Sequence, residues 1–291
     1  MADVFTESPL KGNPLAVVMN TAALAAEDMQ AIAREFNLSE TTFVERRAAE
    51  VEREEGVRVR IFTTEEELPF AGHPTLGTAS VLRRAAPETV RDGVVTLKEN
   101  IGPIPVRFEA GDSLFGEMTQ RDPEFGAELD GGEVARLCGL SVKDLDADHA
   151  PQLVSTGNVF AMVLLKSVEG LGRLNVLQDE ATEWLRARGG RWFYVLAPEV
   201  SDGARAWRAR MQFNGGEDPA TGSAAGCAIA WLVARGLARS EERVRVRQGI
   251  EMGRPSNLFL TASMAGEDAR VTRVRVAGSS VIVAEGTLFL P

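Results

Sequence analysis

The chain has 291 residues, with 42 acidic and 32 basic side chains and a formal net charge of −10. Apolar residues make up 44% and charged residues 25%, the balance of a soluble globular protein long enough for two domains. So acidic a chain argues against nucleic-acid backbones and anionic membrane surfaces as partners, and its longest apolar runs, such as 159–165, are too short to span a bilayer.

The first residues, Met-Ala-Asp-Val-Phe-Thr-Glu-Ser, lack a basic region followed by an apolar run, so no secretory leader is expected. A Gly12-Asn13 turn leads into an apolar strand over Leu15–Val18. In Thr21–Phe36, Leu24, Met29, Ile32, Ala33 and Phe36 are spaced for one buried helix face. Val57–Phe62 alternates with period two and reads as a strand. A Gly/Pro loop follows, then a small-residue helix from Pro74 to about Ala85, with His73 at its N-cap. A boundary between halves is expected near Ala110-Gly-Asp-Ser113 or in the polar segment 120–132. Beyond it, Glu133–Leu137 and Glu180–Arg188 read as surface helices, and Phe160–Leu165 and Ala206–Phe213 as strands. The last helix runs from Pro219 to about Ala234, with Asp218 at its N-cap. From Ala220 to Ala234 it holds no charged residue, so strands are expected around it on every side.

The chain repeats itself. Gly12-Asn13-Pro14-Leu15-Ala16-Val17-Val18 resembles Gly157-Asn158-Val159-Phe160-Ala161-Met162-Val163, and His73-Pro74-Thr75-Leu76-Gly77-Thr78-Ala79 resembles Asp218-Pro219-Ala220-Thr221-Gly222-Ser223-Ala224. Both pairs are offset by 145 residues, half the chain. Two homologous halves are the reading; coincidence between two turn motifs is the alternative.

Three segments are candidates for chemistry. Glu40, in Asn37-Leu-Ser-Glu-Thr-Thr-Phe-Val44, stands among apolar and β-branched residues, which suit a carboxyl held ready for acid/base work. It reads equally well as a solvent-facing or Arg-paired strand residue. The two helix starts offer positive dipole ends to a carboxylate ligand, and Gly72, Gly77, Gly215, Gly216 and Gly222 allow close backbone approach. Taken singly, His73 and Asp218 fit plain caps; taken with the repeat, they would face one cleft between the domains. Cys138 and Cys227 are too few for a disulfide framework, which points to a reducing cytoplasm. Cys227 reads as a small core residue and His149 as part of a solvated loop. With only His73 and His149 beside the cysteines, no metal site is expected. Nucleotide-binding glycine loops and a nucleophile elbow are absent, and the four lysines offer no Schiff base in these segments save Lys11. Cofactor-free proton transfer by carboxylate and imidazole remains.

Five ordered blocks carry a family resemblance: Asp3–Val17 (DVFTESPLKGNPLAV), Phe36–Phe43 (FNLSETTF), Leu68–Ala79 (LPFAGHPTLGTA), Glu217–Ala224 (EDPATGSA) and Gln248–Ser256 (QGIEMGRPS). They resemble the signature blocks of the PhzF family of phenazine-biosynthesis-like proteins. The resemblance implies an α/β (α+β) chain of two pseudo-symmetric domains. Each is a curved, mostly antiparallel sheet around a central helix, as in diaminopimelate epimerase. The domains would cover residues 1–112 and 113–283, a last strand near 284–291 returning to the first. The first strand is expected to be short. Related epimerases and racemases place a cysteine at each helix start; here His73 and Asp218 stand there, so a two-cysteine mechanism is rejected. Glu40 matches the family's proton shuttle, and His73 and Asp218 match its assisting residues. Asn13, Ser39, Gly72, Gly222 and Ser223 are the candidate substrate-binding residues. The implied reaction is a cofactor-independent isomerisation of a small carboxylate, like that of trans-2,3-dihydro-3-hydroxyanthranilate, by a cytoplasmic homodimer. An amino-acid epimerase using a non-cysteine pair and a non-catalytic binding protein are the rival expectations.

Overall fold

A computed structural model describes residues 1–111, 113–201, 204–213, 216–266 and 270–290; Asp112 and Gly215, named above, lie outside them. Two compact units make up the chain, one of Met1–Met118 with the segment from Gly278 onward, the other of Thr119–Ala277.

Unit 1 comprises β1 (Ala2–Val4), β2 (Asn13–Met19), α1 (Ala26–Phe36), β3 (Thr41–Glu45), α2 (Ala49–Glu55), β4 (Val57–Phe62), β5 (Glu67–Leu68), α3 (Gly72–Ala85), β6 (Val94–Glu99), β7 (Gly102–Phe108) and β8 (Phe115–Thr119). Strands β1 and β2 pair antiparallel, β2 and β3 parallel, β3 and β4 antiparallel, β4 and β6 parallel, and β6, β7 and β8 antiparallel. The unit extends through β8 because Val106 of β7 still pairs with Met118. Helix α3 packs on β1, β2, β3, β6 and β7 and is buried from Gly72 to Ser80. Gly77 permits this: a Cβ there would lie 2.6 Å from both Leu15 Cδ2 and Val4 Cγ2. Helix α1 lies against β3 and β4 through Met29, Ile32 and Ala33.

Unit 2 comprises β9 (Glu124–Glu128), α4 (Gly131–Leu137), β10 (Gln152–Ser155), β11 (Val159–Leu164), α5 (Val168–Arg173), α6 (Gln178–Arg186), β12 (Trp192–Ser201), β13 (Ala204–Arg210), β14 (Gln212–Phe213), β15 (Gly216–Glu217), α7 (Gly222–Ala234), β16 (Val244–Gln248), β17 (Ser256–Ala265) and β18 (Arg270–Ile282). From β10 onward the order of pairings is that of unit 1: antiparallel, parallel (β11 with β12), antiparallel, parallel (β13 with β16), then antiparallel twice. Helix α7 packs on β10, β11 and β17, and every residue from Gly222 to Val233 is buried. A helix without charge has no face to offer solvent.

Four expectations need correction. The returning strand is the far end of β18, in which Ser280, Val281 and Ile282 pair with β1, and residues 284–290 form no strand. The ladder stops there because β1 is three residues long, and only Met1 O remains to accept from Val283 N and Ala284 N. His73 is not an N-cap: α3 starts at Gly72 with Ala71 as its cap, and Pro74 still falls in the first turn, where a missing N–H costs nothing. Asp218 is not a cap either, because α7 starts at Gly222. The Asp218 carbonyl, which would close the first turn of a helix begun at Pro219, accepts instead from Gln248 Nε2 at 2.8 Å. Finally, α1 begins at Ala26, since Thr21 and Leu24 are held in a turn by Thr21 N to Val44 O and Leu24 N to Thr21 O.

Candidate active site

In unit 1, Gly12 (φ +66°) makes the turn that delivers Asn13 to the head of β2; a Cβ there would overlap Val4 O. Helix α1 ends on left-handed Asn37, and Ser39 and Glu40 then lead into β3. Thr42 of β3 and Thr78 of α3 share a hydrogen bond of 2.8 Å, fixing the helix against the strand that follows Glu40. Three candidates meet here. Asn13 Nδ2 lies 3.1 Å from His73 Nδ1, and Glu40 Oε2 lies 3.6 Å from the same nitrogen. Asn13 and His73 are buried, while the Glu40 side chain is 16% exposed, enough to meet a ligand. Ser39 is half-buried beside Glu40, and Gly72 is buried at the start of α3.

Burial pushes the His73 imidazole down to about 3, against a smaller opposing effect of the Pro14 backbone. It is therefore neutral at any working pH and does not place a positive charge beside Glu40. The Asn13 amide and His73 Nδ1 share one hydrogen bond whose direction follows the imidazole tautomer, and Nε2 is buried without a partner among the described residues. Glu40 thus faces a neutral imidazole nitrogen.

Sequence reasoning missed Glu99. It is 1% exposed, and burial pushes its carboxyl up to about 8, with the Thr75 hydrogen bond and Arg58 opposing. Thr75 Oγ1 lies 2.7 Å from Ala71 O and 2.6 Å from Glu99 Oε1. One hydroxyl proton cannot serve both. A protonated Glu99 resolves the conflict by donating to Thr75, which then donates to Ala71 O.

In unit 2, Asp218 is 8% exposed, Gly222 and Ser223 are buried in the first turn of α7, and Thr221 is the helix cap. Asp218 Oδ2 accepts from Thr221 Oγ1 at 2.6 Å, and Gly222 O accepts from Gln120 Nε2 at 2.9 Å. The organiser is Gln248, fully buried, which appeared in the sequence only as part of a family block. Period-two alternation could have found both missed residues. Val95, Leu97 and Glu99 share the core face of β6, and Val244, Val246 and Gln248 that of β16.

His149 is half-buried, its Nδ1 2.7 Å from Asp146 and its ring edge-on to Trp231. Both cysteines are buried and unpaired, and burial pushes Cys138 up to about 12 and Cys227 to about 11, so neither offers a thiolate. Among the described residues, no three His, Cys, Asp or Glu side chains converge as metal ligands, and no helix is long and apolar enough to cross a membrane.

The family model described as phenazine biosynthesis-like protein (PhzC-PhzF) matches residues 2–286. The chain belongs to this family of isomerases. An uncharacterised isomerase of Mesorhizobium japonicum is 36% identical over 301 residues, covering 99% of this chain and 97% of its own. The trans-2,3-dihydro-3-hydroxyanthranilate isomerase of Pseudomonas aeruginosa is 35% identical over 292 residues, covering 99% and 98%. Among solved structures, a predicted epimerase from Pseudomonas aeruginosa superposes with a TM-score of 0.84 at 36% identity, covering 100% and 98%. A probable proline racemase from Agrobacterium radiobacter, at 13% identity and a TM-score of 0.59, shares the fold alone. The fold is thus the mixed α/β, epimerase-like one that the resemblance implied.

Proposed function

We propose that this PhzF-family isomerase moves a proton and a double bond within a small cyclic carboxylate of the trans-2,3-dihydro-3-hydroxyanthranilate type, without a cofactor, and that Glu40 carries the proton. The observation that carries this reading is the contact of a partly exposed Glu40 with Nδ1 of a buried, neutral His73. As carboxylate, Glu40 takes a proton from one substrate carbon while the π electrons shift along the ring. As carboxylic acid, it keeps the neutral imidazole beside it until it returns the proton to the second carbon. A neutral partner suits a group that must hold both states in turn. The start of α3, with Gly72 in its first turn, offers its positive dipole end to a substrate carboxylate. Asn13 orients His73, and Ser39, Gly222 and Ser223 are assigned to substrate binding. Asp218, in unit 2, is assigned as the second acidic residue of the reaction. The chain is further assigned to a cytoplasmic homodimer without nucleic-acid partners, in keeping with its acidity and its unpaired thiols; sedimentation at micromolar concentration tests the dimer.

Turnover in heavy water tests the reaction. Incubation with trans-2,3-dihydro-3-hydroxyanthranilate, followed by NMR, should show the double bond migrating. An epimerase, the reading favoured by the name of the 36%-identical structural relative, would leave the double bond and invert an α-carbon that acquires deuterium. Lack of any isomer would rule out this substrate.

A further inference from the structure

Gln248 is a buried amide of unit 2 whose bonds run directly to Asp218 and to Thr221 at the start of α7. Its Oε1 accepts from Tyr194 OH at 3.0 Å and from Thr221 N at 3.1 Å. Its Nε2 donates to Asp218 O at 2.8 Å and to Thr221 Oγ1 at 2.9 Å. All four hydrogen-bonding positions of the amide are filled. The orientation is forced, because a backbone N–H needs an oxygen and a backbone carbonyl needs an N–H. Having accepted from Nε2, Thr221 Oγ1 has its single proton left for Asp218 Oδ2, at 2.6 Å. The direction of every bond from the phenol to the carboxyl follows.

We propose that Tyr194, Gln248 and Thr221 form a one-way hydrogen-bond chain that holds Asp218 as a fixed proton acceptor, and that all three are positioning residues for the isomerase reaction. This rests on the functional reading above and sharpens it: Asp218 keeps one orientation and one protonation state, which leaves the carrying of protons to Glu40. Two features set the arrangement apart from ordinary core satisfaction. Thr221 occupies the N-cap of α7, yet its hydroxyl makes no cap bond and serves Asp218 instead. Tyr194 is the sole tyrosine, fully buried, and both burial and the Asp218 charge hold its phenol protonated, so the chain's source of protons never ionises at working pH. The charged neighbours are tied elsewhere. Glu217 is gripped by Arg210 at 2.8 and 2.6 Å, and Glu251 pairs with Arg208 at 3.0 Å. The other titratable group near Tyr194, Cys227, is a neutral thiol.

The test is the carboxyl-carbon NMR titration of Asp218, its signal identified by loss in Asp218→Asn, compared in wild type, Thr221→Val, Thr221→Ser and Tyr194→Phe. Removing a donor to the charged form disfavours that form. The midpoint should rise by about one pH unit in Thr221→Val, rise less in Tyr194→Phe, and return to the wild-type value in Thr221→Ser. With trans-2,3-dihydro-3-hydroxyanthranilate, the acid limb of kcat should move the same way, with KM within about twofold. An unmoved midpoint in both variants overturns the proposal, and Tyr194→Phe alone decides it should Thr221→Val not fold. Wild type failing to turn over this substrate would count against the functional reading, and the titration judges the chain either way.

Discussion

Replacing Glu99 by glutamine should stabilise the protein in alkaline solution and leave it no more stable in acid. The carboxyl is pushed from an ordinary 4.5 to about 8 in the folded chain, mainly by burial. The folded state therefore holds a proton that the unfolded state releases above pH 4.5. Wild-type stability falls by about 1.4 kcal/mol for each pH unit across that window, a total of about 5 kcal/mol by pH 8 as an order of magnitude. Above pH 8 both states are ionised and the slope vanishes. An amide removes the whole term. It also brings one N–H without a partner, because Glu99 Oε2 has none in the buried site, a cost of about 1–3 kcal/mol. The Glu99→Gln protein should then lose about 1–3 kcal/mol near pH 4.5 and gain about 2–4 kcal/mol at pH 8. That it folds at all is supported by unit 2, where Gln248 ends β16 as Glu99 ends β6 and likewise bonds a threonine at the start of the central helix. The assay is urea unfolding at several pH values between 5 and 8, followed by far-ultraviolet circular dichroism. All four tryptophans lie in unit 2, so their fluorescence reports that unit separately. A stability difference between variant and wild type that did not change with pH would refute a protonated Glu99.

Three further outcomes follow from packing and burial. Of the two histidines, His73 should give NMR shifts that stay flat from pH 5 to 8, because its imidazole lies at about 3; a midpoint above 5 would show that it is not desolvated. Gly12→Ala should cost at least about 1–3 kcal/mol in urea unfolding, since φ is +66° and the new Cβ would overlap Val4 O; wild-type stability would contradict the turn described. Both thiols should resist an aromatic disulfide reagent at pH 8 in the native protein and react once it is unfolded, and rapid native labelling would contradict their burial.

The central helices were legible because composition alone decides them: a segment without charge, Ala220–Ala234, has nowhere to go but inside. The strand Val57–Phe62 was legible to the residue, since its alternation matches its two faces. The start of α7 was not. Local chemistry favours Asp218 as a cap, and what overrides it is Gln248, thirty residues away in sequence. Lys98-Glu99-Asn100 reads locally as a polar turn, and only membership of the core face of β6 marks Glu99 as buried. At the candidate site, the sequence marked Glu40, His73 and Asn13 without saying which nitrogen they share. The protonation of His73 depends on complete burial, which its own neighbours do not reveal. Residue types and spacing survive in the sequence; hydrogen-bond direction and desolvation arise only when distant strands close around them.

The central claim is that one carboxyl carries the proton, and Glu40→Gln tests it most directly. The amide keeps the shape and the neighbour at His73 but cannot accept and return a proton. Loss of a general acid/base costs about 10²–10⁴-fold in rate, and a sole carrier should fall at the upper end of that range. Turnover of trans-2,3-dihydro-3-hydroxyanthranilate by the Glu40→Gln protein, followed by NMR in heavy water, should drop by at least about 10³-fold while its melting temperature and substrate binding stay near those of wild type. Turnover within tenfold of wild type would mean that another group moves the proton.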